Sequence, residues 1–221
     1  MQRRSFARCG NDREKVLGFD VVAALLDLGE TRLAAMDAAG IDLQVLSHNQ
    51  PGCQALEAGA AIAMARGVND ILFETVRAHP DRFAALAALP TADPAAAAKE
   101  LDRAIGRLGF KGAMINGHTR GSFLDDKRFW CIFECAQALD VPIYLHPSKP
   151  HPAVMKAYFE GYEELALGAW GLGIDTGAHF LRLVFAGVFD AFPNLTFILG
   201  HLGEGLPFML HRINDQTHLA A

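Results

Sequence analysis

The sequence predicts an α/β fold built on parallel strands, and three observations carry that reading. Five short apolar runs, 41–46, 83–87, 111–115, 141–145 and 195–199, recur along the chain, each about one strand long. Longer segments of helical character separate them. Proline and glycine stand where those helices would start and stop, so the order is a strict alternation. Alternation of this kind calls for parallel strands joined by helical crossovers. An open doubly wound sheet and a closed (β/α)8 TIM barrel both satisfy it. No Gly-x-Gly-x-x-Gly follows any of the runs, so nothing favours the dinucleotide-binding version.

Each element has a local reason. Gly40 closes a helix containing Leu33 and Met36 just before the first strand. Segment 55–79 carries Ile62, Ala65 and Leu72 at roughly helical spacing and stops at Pro80. Asp93 followed by Pro94 reads as an N-cap with proline at N1, and Gly109 ends that helix ahead of 111–115. A helix over 126–139 feeds the next strand through a very short turn, and Pro142 sits near that strand's start, where proline is tolerated. Stretch 148–173 reads as a long functional loop, because Tyr158, Phe159 and Trp170 argue against disorder.

Composition narrows the function classes. The 221 residues are 51% hydrophobic and 20% charged, enough for a sizeable core in one domain, 1–221. A net charge of −5 offers no footprint for nucleic acid or an anionic membrane. The short basic run at Arg3 and Arg4 does not change that. No apolar run approaches the length of a membrane span. Cys9, Cys53, Cys131 and Cys135 show no Cys-x-x-Cys spacing and are too sparse for a disulfide scaffold, so a cytoplasmic location is expected. Cys131 and Cys135, at i, i+4 on a helix, read as small buried hydrophobes.

In parallel α/β folds the working groups lie just past the carboxyl ends of the strands. Four of the nine histidines, His48, His118, His146 and His201, fall within three residues of such an end. His146, in Tyr144-Leu145-His146-Pro147, is placed to present a neutral imidazole to a metal, or merely to satisfy a loop carbonyl. His201 is flanked by Gly200 and Gly203, with Glu204 three residues on. That pairing suits a general acid/base whose imidazole the carboxylate orients, or simply an acidic first turn of the next helix. His48 and His118 could touch substrate or be solvated loop residues. Asn116 could donate to a substrate oxygen, or Asn116-Gly117 could be only a turn. His179, midway along an apolar helix with Leu181 and Val184, reads as a satisfied buried histidine; His79, His151, His211 and His218 read as surface or loop residues. No Gly-x-Ser-x-Gly elbow, P-loop or His-Glu-x-x-His is present, so serine nucleophiles and phosphoryl transfer have no motif behind them.

Several stretches together carry a family resemblance. They are Met36-Asp37-Ala38-Ala39-Gly40-Ile41, Pro80-Asp81-Arg82-Phe83 with Leu89-Pro90, Gly109-Phe110-Lys111-Gly112, Tyr144-Leu145-His146-Pro147, and Ile198 through Pro207. From about Leu25 to Asn214 the chain resembles the decarboxylase branch of the amidohydrolase superfamily, which includes γ-resorcylate, aminocarboxymuconate-semialdehyde and 5-carboxyvanillate decarboxylases. The resemblance implies a (β/α)8 barrel with one divalent metal, zinc or manganese. It implies non-oxidative decarboxylation of an aromatic or related carboxylic acid, with metal anchoring of substrate oxygens and proton delivery to carbon. His146 corresponds to the metal-ligating histidine that ends barrel strand 5, His201 to the catalytic histidine of strand 6, and Glu204 to its supporting glutamate. The five strands then correspond to barrel strands 2 to 6. The first-strand Glu-x-His or His-x-His and the strand-8 aspartate have no counterpart, and Met1–Glu14 matches nothing in the family. The chain therefore reads as an incomplete barrel, truncated at both ends.

The resemblance implies a small-molecule carboxylic acid substrate and a homo-oligomer, with the region between His146 and Trp170 acting as substrate lid or dimer contact. A five-stranded remnant is expected to be poorly stable alone or to oligomerise over its open edges. Two other functions compete: a metal-dependent hydrolase (lactonase) of the same superfamily, and an inactive truncated paralogue acting as a partner subunit.

Overall fold

A computed structural model of the chain describes residues 20–218, with side chains given up to Thr217. Arg3, Arg4, Cys9 and the Met1–Glu14 peptide lie outside the described residues. In chain order the elements are α1 (Val21–Leu26), α2 (Glu30–Ala38), β1 (Gln44–Leu46), α3 (Ala58–Ala78), β2 (Phe83–Ala85), β3 (Ala87–Ala88), α4 (Pro94–Gly106) and β4 (Ala113–Asn116). A 3-10 turn (Lys127–Phe129) leads into α5 (Trp130–Ala138), followed by β5 (Ile143–His146), α6 (Pro152–Phe159) and a second 3-10 turn (Glu163–Ala166). The described chain ends with α7 (Gly171–Phe185), α8 (Val188–Ala191), β6 (Phe197–Leu199) and α9 (Leu206–His218).

Every strand pairing is parallel. β1 pairs with β2, and β3, β4, β5 and β6 follow one another in order. β2 and β3 are one extended segment that changes partner at Leu86. The Leu86 N–H donates to the Leu46 carbonyl at 2.9 Å, whereas the Ala87 N–H turns the other way to Gly112 at 2.8 Å. The five strands therefore run side by side in sequence order. A doubly wound sheet must reverse that order at a switch point; a barrel need not. Unbroken sequential order decides between the two architectures left open by the sequence: the fold is part of a (β/α)8 barrel.

The core sits between strands and crossover helices. Ala97, Leu101 and Ala104 of α4 recur at i, i+4, i+7 and are fully buried. Ile132, Phe133 and Ala136 of α5, at i, i+1 and i+4, are fully buried too, and the two helices pack against Ile115, Ile143 and Leu145 of the sheet. Asp93 caps α4 as expected, accepting from the Ala96 N–H at 3.0 Å with Pro94 in the first turn. One buried polar cluster in the wall, around Asn69 and Glu100, is paired. The Asn69 side chain meets both backbone groups of Ala88, at 2.8 and 3.0 Å, and donates to Glu100 at 2.7 Å. Glu100 and Asp70 in turn hold Arg103 at 2.7 and 2.8 Å.

Some boundaries differ from the sequence reading. The first strand forms only at Gln44, α3 starts at Ala58, and β4 and β5 begin two residues later than predicted, at Ala113 and Ile143. Stretch 148–173 is no loop: it holds α6, a 3-10 turn and the start of α7. The missed start signal is His151, whose ring Nδ1 accepts from the Ala153 N–H at 3.1 Å and caps α6, a job usually given to Ser, Thr, Asp or Asn. Tyr158 and Trp170 are exposed, and only Phe159 of the three aromatics enters the interior. Cys131 and Cys135 lie on one helix but are half-buried rather than buried. Among the described residues no helix is long and apolar enough to cross a membrane.

Candidate active site

Parallel pairing brings all the strand carboxyl ends to one rim. The register sets Asn116 at the end of β4 beside His146 at the end of β5, so both side chains leave the sheet on the same face. His201 follows β6 by two residues. Gly200 is what lets that strand end come close: a Cβ there would stand 2.6 Å from Pro147 Cδ and 3.1 Å from the Leu145 carbonyl. The backbone then takes four consecutive left-handed residues, His201, Leu202, Gly203 and Glu204, with φ of 50, 59, 76 and 53°. Left-handed conformation costs about 1–2 kcal/mol for each non-glycine residue. The turn thus stores strain at the point where it aims His201.

The aim brings two imidazoles together. The rings of His146 and His201 lie 5.4 Å apart, centroid to centroid, and stand perpendicular. His201 Nδ1 is 2.8 Å from Glu204 Oε1, close but off the line of a good hydrogen bond. Glu204 is more sheltered than His201, at 18% side-chain exposure against 44%. His201 therefore presents its Nε2 to the rim, with Nδ1 occupied by the carboxylate.

His146 has its proton fixed by its neighbour. Its Nδ1 lies 2.7 Å from the Pro147 carbonyl. A carbonyl only accepts, so Nδ1 carries the hydrogen and Nε2 keeps its lone pair. Burial pushes the His146 pKa below the ordinary histidine value, outweighing the carbonyl's opposite pull, so the ring is neutral at pH 7. Tyr144 lies nearly parallel to it, 6.3 Å away. This is a suitable donor for a divalent cation, but a single one. Among the described residues no group of three or more His, Cys, Asp and Glu side chains could hold a metal ion.

The other residues predicted from sequence separate into a second place. Asn116 and His118 line a cavity of about 690 Å³ with Gln50, Pro51, Gln54 and Ser148. His118 also borders a neighbouring cavity of about 470 Å³ under α6. Its ring accepts from the Gly121 N–H at 3.0 Å and packs against His151 and Phe123. Burial, then the neighbouring His151, lower its pKa. His48 is absent from the lining. Its carbonyl instead takes a 3.3 Å hydrogen bond from Asn116, and its ring, lowered in pKa by burial, faces the Cys53 thiol at 3.9 Å. Sequence reasoning missed Gln54, Ser148, Lys149 and Arg120, which border the larger cavity. An amide or a lysine in an irregular loop has no periodicity to reveal it. His151, read as a surface or loop residue, lies in the loop ahead of α6, half-buried against His118 and Phe123.

The chain is 44% identical over 200 residues to a gamma-resorcylate decarboxylase of Rhizobium radiobacter, covering 87% of this chain and 61% of the relative. It superposes with a TM-score of 0.84 and 40% identity on a dihydroxybenzoic acid decarboxylase from Polaromonas sp. JS666, solved with manganese and the inhibitor 2-nitroresorcinol. That match covers 91% of this chain and 65% of the other. A 5-carboxyvanillate decarboxylase from Novosphingobium aromaticivorans, solved with manganese and 4-hydroxy-3-methoxy-5-nitrobenzoic acid, gives a TM-score of 0.86 at 39% identity, covering 90% of this chain and 56% of the other. The chain thus spans about three-fifths of the length of the curated relatives it matches. The Amidohydrolase family model matches residues 22–219, nearly the whole chain, and the protein belongs to that family.

Proposed function

We propose that the chain belongs to a divalent-metal-dependent, non-oxidative decarboxylase acting on a hydroxylated aromatic acid, with 1–221 forming one partial barrel domain. The observation that supports this most is the pair of imidazoles at the strand ends: His146 with a free Nε2 lone pair, and His201 backed by Glu204 at 2.8 Å. The manganese in two similar decarboxylases makes manganese or zinc the expected ion, held in part by His146. When bound, such an ion supplies Lewis-acid anchoring of substrate oxygens.

The chain's own residues account for the rest. His201 holds a proton at Nε2 while Glu204 orients the ring through Nδ1 and balances its charge. Decarboxylation adds a proton to the ring carbon that bears the carboxylate; the carbon–carbon bond then breaks, its electron pair returning to the ring as carbon dioxide leaves. Asn116 and His118 contact substrate from the adjoining cavity. His48 acts through Asn116, which its carbonyl holds. We further propose a homo-oligomer and a cytoplasmic location, and no nucleic-acid partner.

The test is direct. Incubating the chain with Mn²⁺ and 2,6-dihydroxybenzoate should release carbon dioxide and form resorcinol, and His201→Asn should slow this by 100-fold or more, on the order expected for a lost general acid. Hydrolysis of an aromatic lactone without resorcinol formation would favour the hydrolase instead. Inactivity towards both, in a folded metal-loaded protein, would favour the inactive partner subunit.

A further inference from the structure

Three side chains lining the 690 Å³ cavity end in buried polar atoms without a protein partner: Gln54 Oε1, Asn116 Oδ1 and His118 Nε2. Their chemical identities are fixed by what their other ends bond. Gln54 Nε2 donates to the Leu89 carbonyl at 3.1 Å and to Thr91 Oγ1 at 3.4 Å, so the amide cannot be flipped and its free atom is an acceptor. Asn116 Nδ2 donates to the His48 carbonyl, which leaves Oδ1 as a second acceptor. His118 Nδ1 accepts from the Gly121 N–H, which leaves Nε2–H as a donor. Gln54 and Asn116 are 2% and 3% exposed, so bulk water does not serve them.

Gly52 stands over both amides without a side chain. A Cβ there would sit 2.4 Å from Gln54 Oε1 and 2.5 Å from Asn116 Nδ2. It belongs to the irregular loop between β1 and α3, so a ligand reaching Oε1 from the cavity requires that loop to move aside. Pro51, Ala55 and Leu167 give the cavity apolar walls, and the exposed Lys149 adds a positive charge at its border.

We propose that this cavity is a subsite reading the hydroxyl groups of a phenolic ring, with Gln54 as a specificity-determining residue. Two fixed acceptors demand two donors from the ligand, and ring O–H groups on a flat apolar body supply them. His118 Nε2–H takes a ligand oxygen. The proposal deepens the decarboxylase reading by naming what selects a hydroxylated acid over a plain one. A site built to accept hydrogen bonds discriminates strongly against an analogue that cannot donate them.

The test uses two probes that need neither metal nor turnover. Resorcinol and 1,3-dimethoxybenzene are titrated against the chain by ligand-observed NMR at pH 7. Unmodified protein should bind resorcinol at least about tenfold more tightly, and Gln54→Met should reduce that preference to about twofold or less. Thr91→Val, which removes one brace of the Gln54 amide and keeps Oε1, should leave the preference in place. Equal binding of the probes by unmodified protein, no binding of either, or an unchanged preference in Gln54→Met overturns the subsite. The probe comparison stands even if Gln54→Met does not fold. Resorcinol binding without decarboxylation sinks the reaction and leaves the subsite; decarboxylation with an indifferent Gln54→Met does the reverse.

Discussion

His146 owes its donor atom to the residue that follows it, and His179 shows the opposite fate for the same side chain. His179 is fully buried on α7 and accepts from the Leu124 N–H at 2.9 Å. Burial pushes its pKa down to about 3, below the unfolded value of 6.5. Between those values the unfolded chain binds the extra proton. The stability this group contributes is therefore complete above about pH 6.5 and is lost on acidification, at about 1.4 kcal/mol per pH unit within the window. Asp175, pushed up to about 6 by burial, acts oppositely: from its ordinary 3.8 upward the folded state holds the proton, and stability falls as pH rises. Comparing His179→Gln with the unmodified chain isolates the histidine. Gln can still accept from Leu124, and its urea midpoint should fall less steeply between pH 6.5 and 4.5; parallel slopes would exclude His179 as the source. At this scale the sequence was legible where a side chain sits at a strand end, as with the placement of His146 and His201. It was not legible for Gln54 or His151, whose partners lie 35 residues away and across the rim.

At the scale of elements, the turn after β6 bears the most strain, and Gly200 is the hinge of it. Gly200→Ala would push its methyl into Pro147 and the Leu145 carbonyl. Overpacking of that kind costs about 1–3 kcal/mol, so the substitution should lower the unfolding free energy by that amount and move His201 away from His146. Loss of the ring-to-ring contact between the two imidazoles, seen as a vanished nuclear Overhauser effect, checks the second half; a retained contact at full stability would show that the close approach is not needed. Helices with ordinary punctuation were readable in advance. Asp93-Pro94 opens α4 where the residues said it would, because a carboxylate cap and a fixed proline φ act locally. α6 was not readable, because a histidine cap and a Pro152 start look like loop composition. Four strand starts were late by two or three residues, because apolar character begins ahead of the regular ladder; the strand at Phe83 started where the residues placed it.

For the molecule as a whole, strand order is the decisive feature, and it follows from alternation plus the right-handed crossover rule rather than from any single residue. Choosing between sheet and barrel needed the pairings themselves. Among the described residues β1 and β6 are each paired on one side only. Val45 and Ile198 on those strands are exposed, as are Leu202, Phe208 and Leu210 nearby in the chain beyond β6. Open edges next to apolar surface favour association. Sedimentation velocity on the purified chain should show dimers or larger species; a monomer with cooperative unfolding and ordinary solubility would contradict this. The central claim is narrower: one imidazole at the strand ends is a cation donor with a second imidazole beside it. Titrating Mn²⁺ into the chain while recording the histidine ring signals tests it most directly. The account predicts that His146 and His201 broaden first, while His79 and His211 persist, and that His146→Ala abolishes the selectivity. Uniform broadening of all histidines, or unchanged selective broadening in His146→Ala, would contradict it.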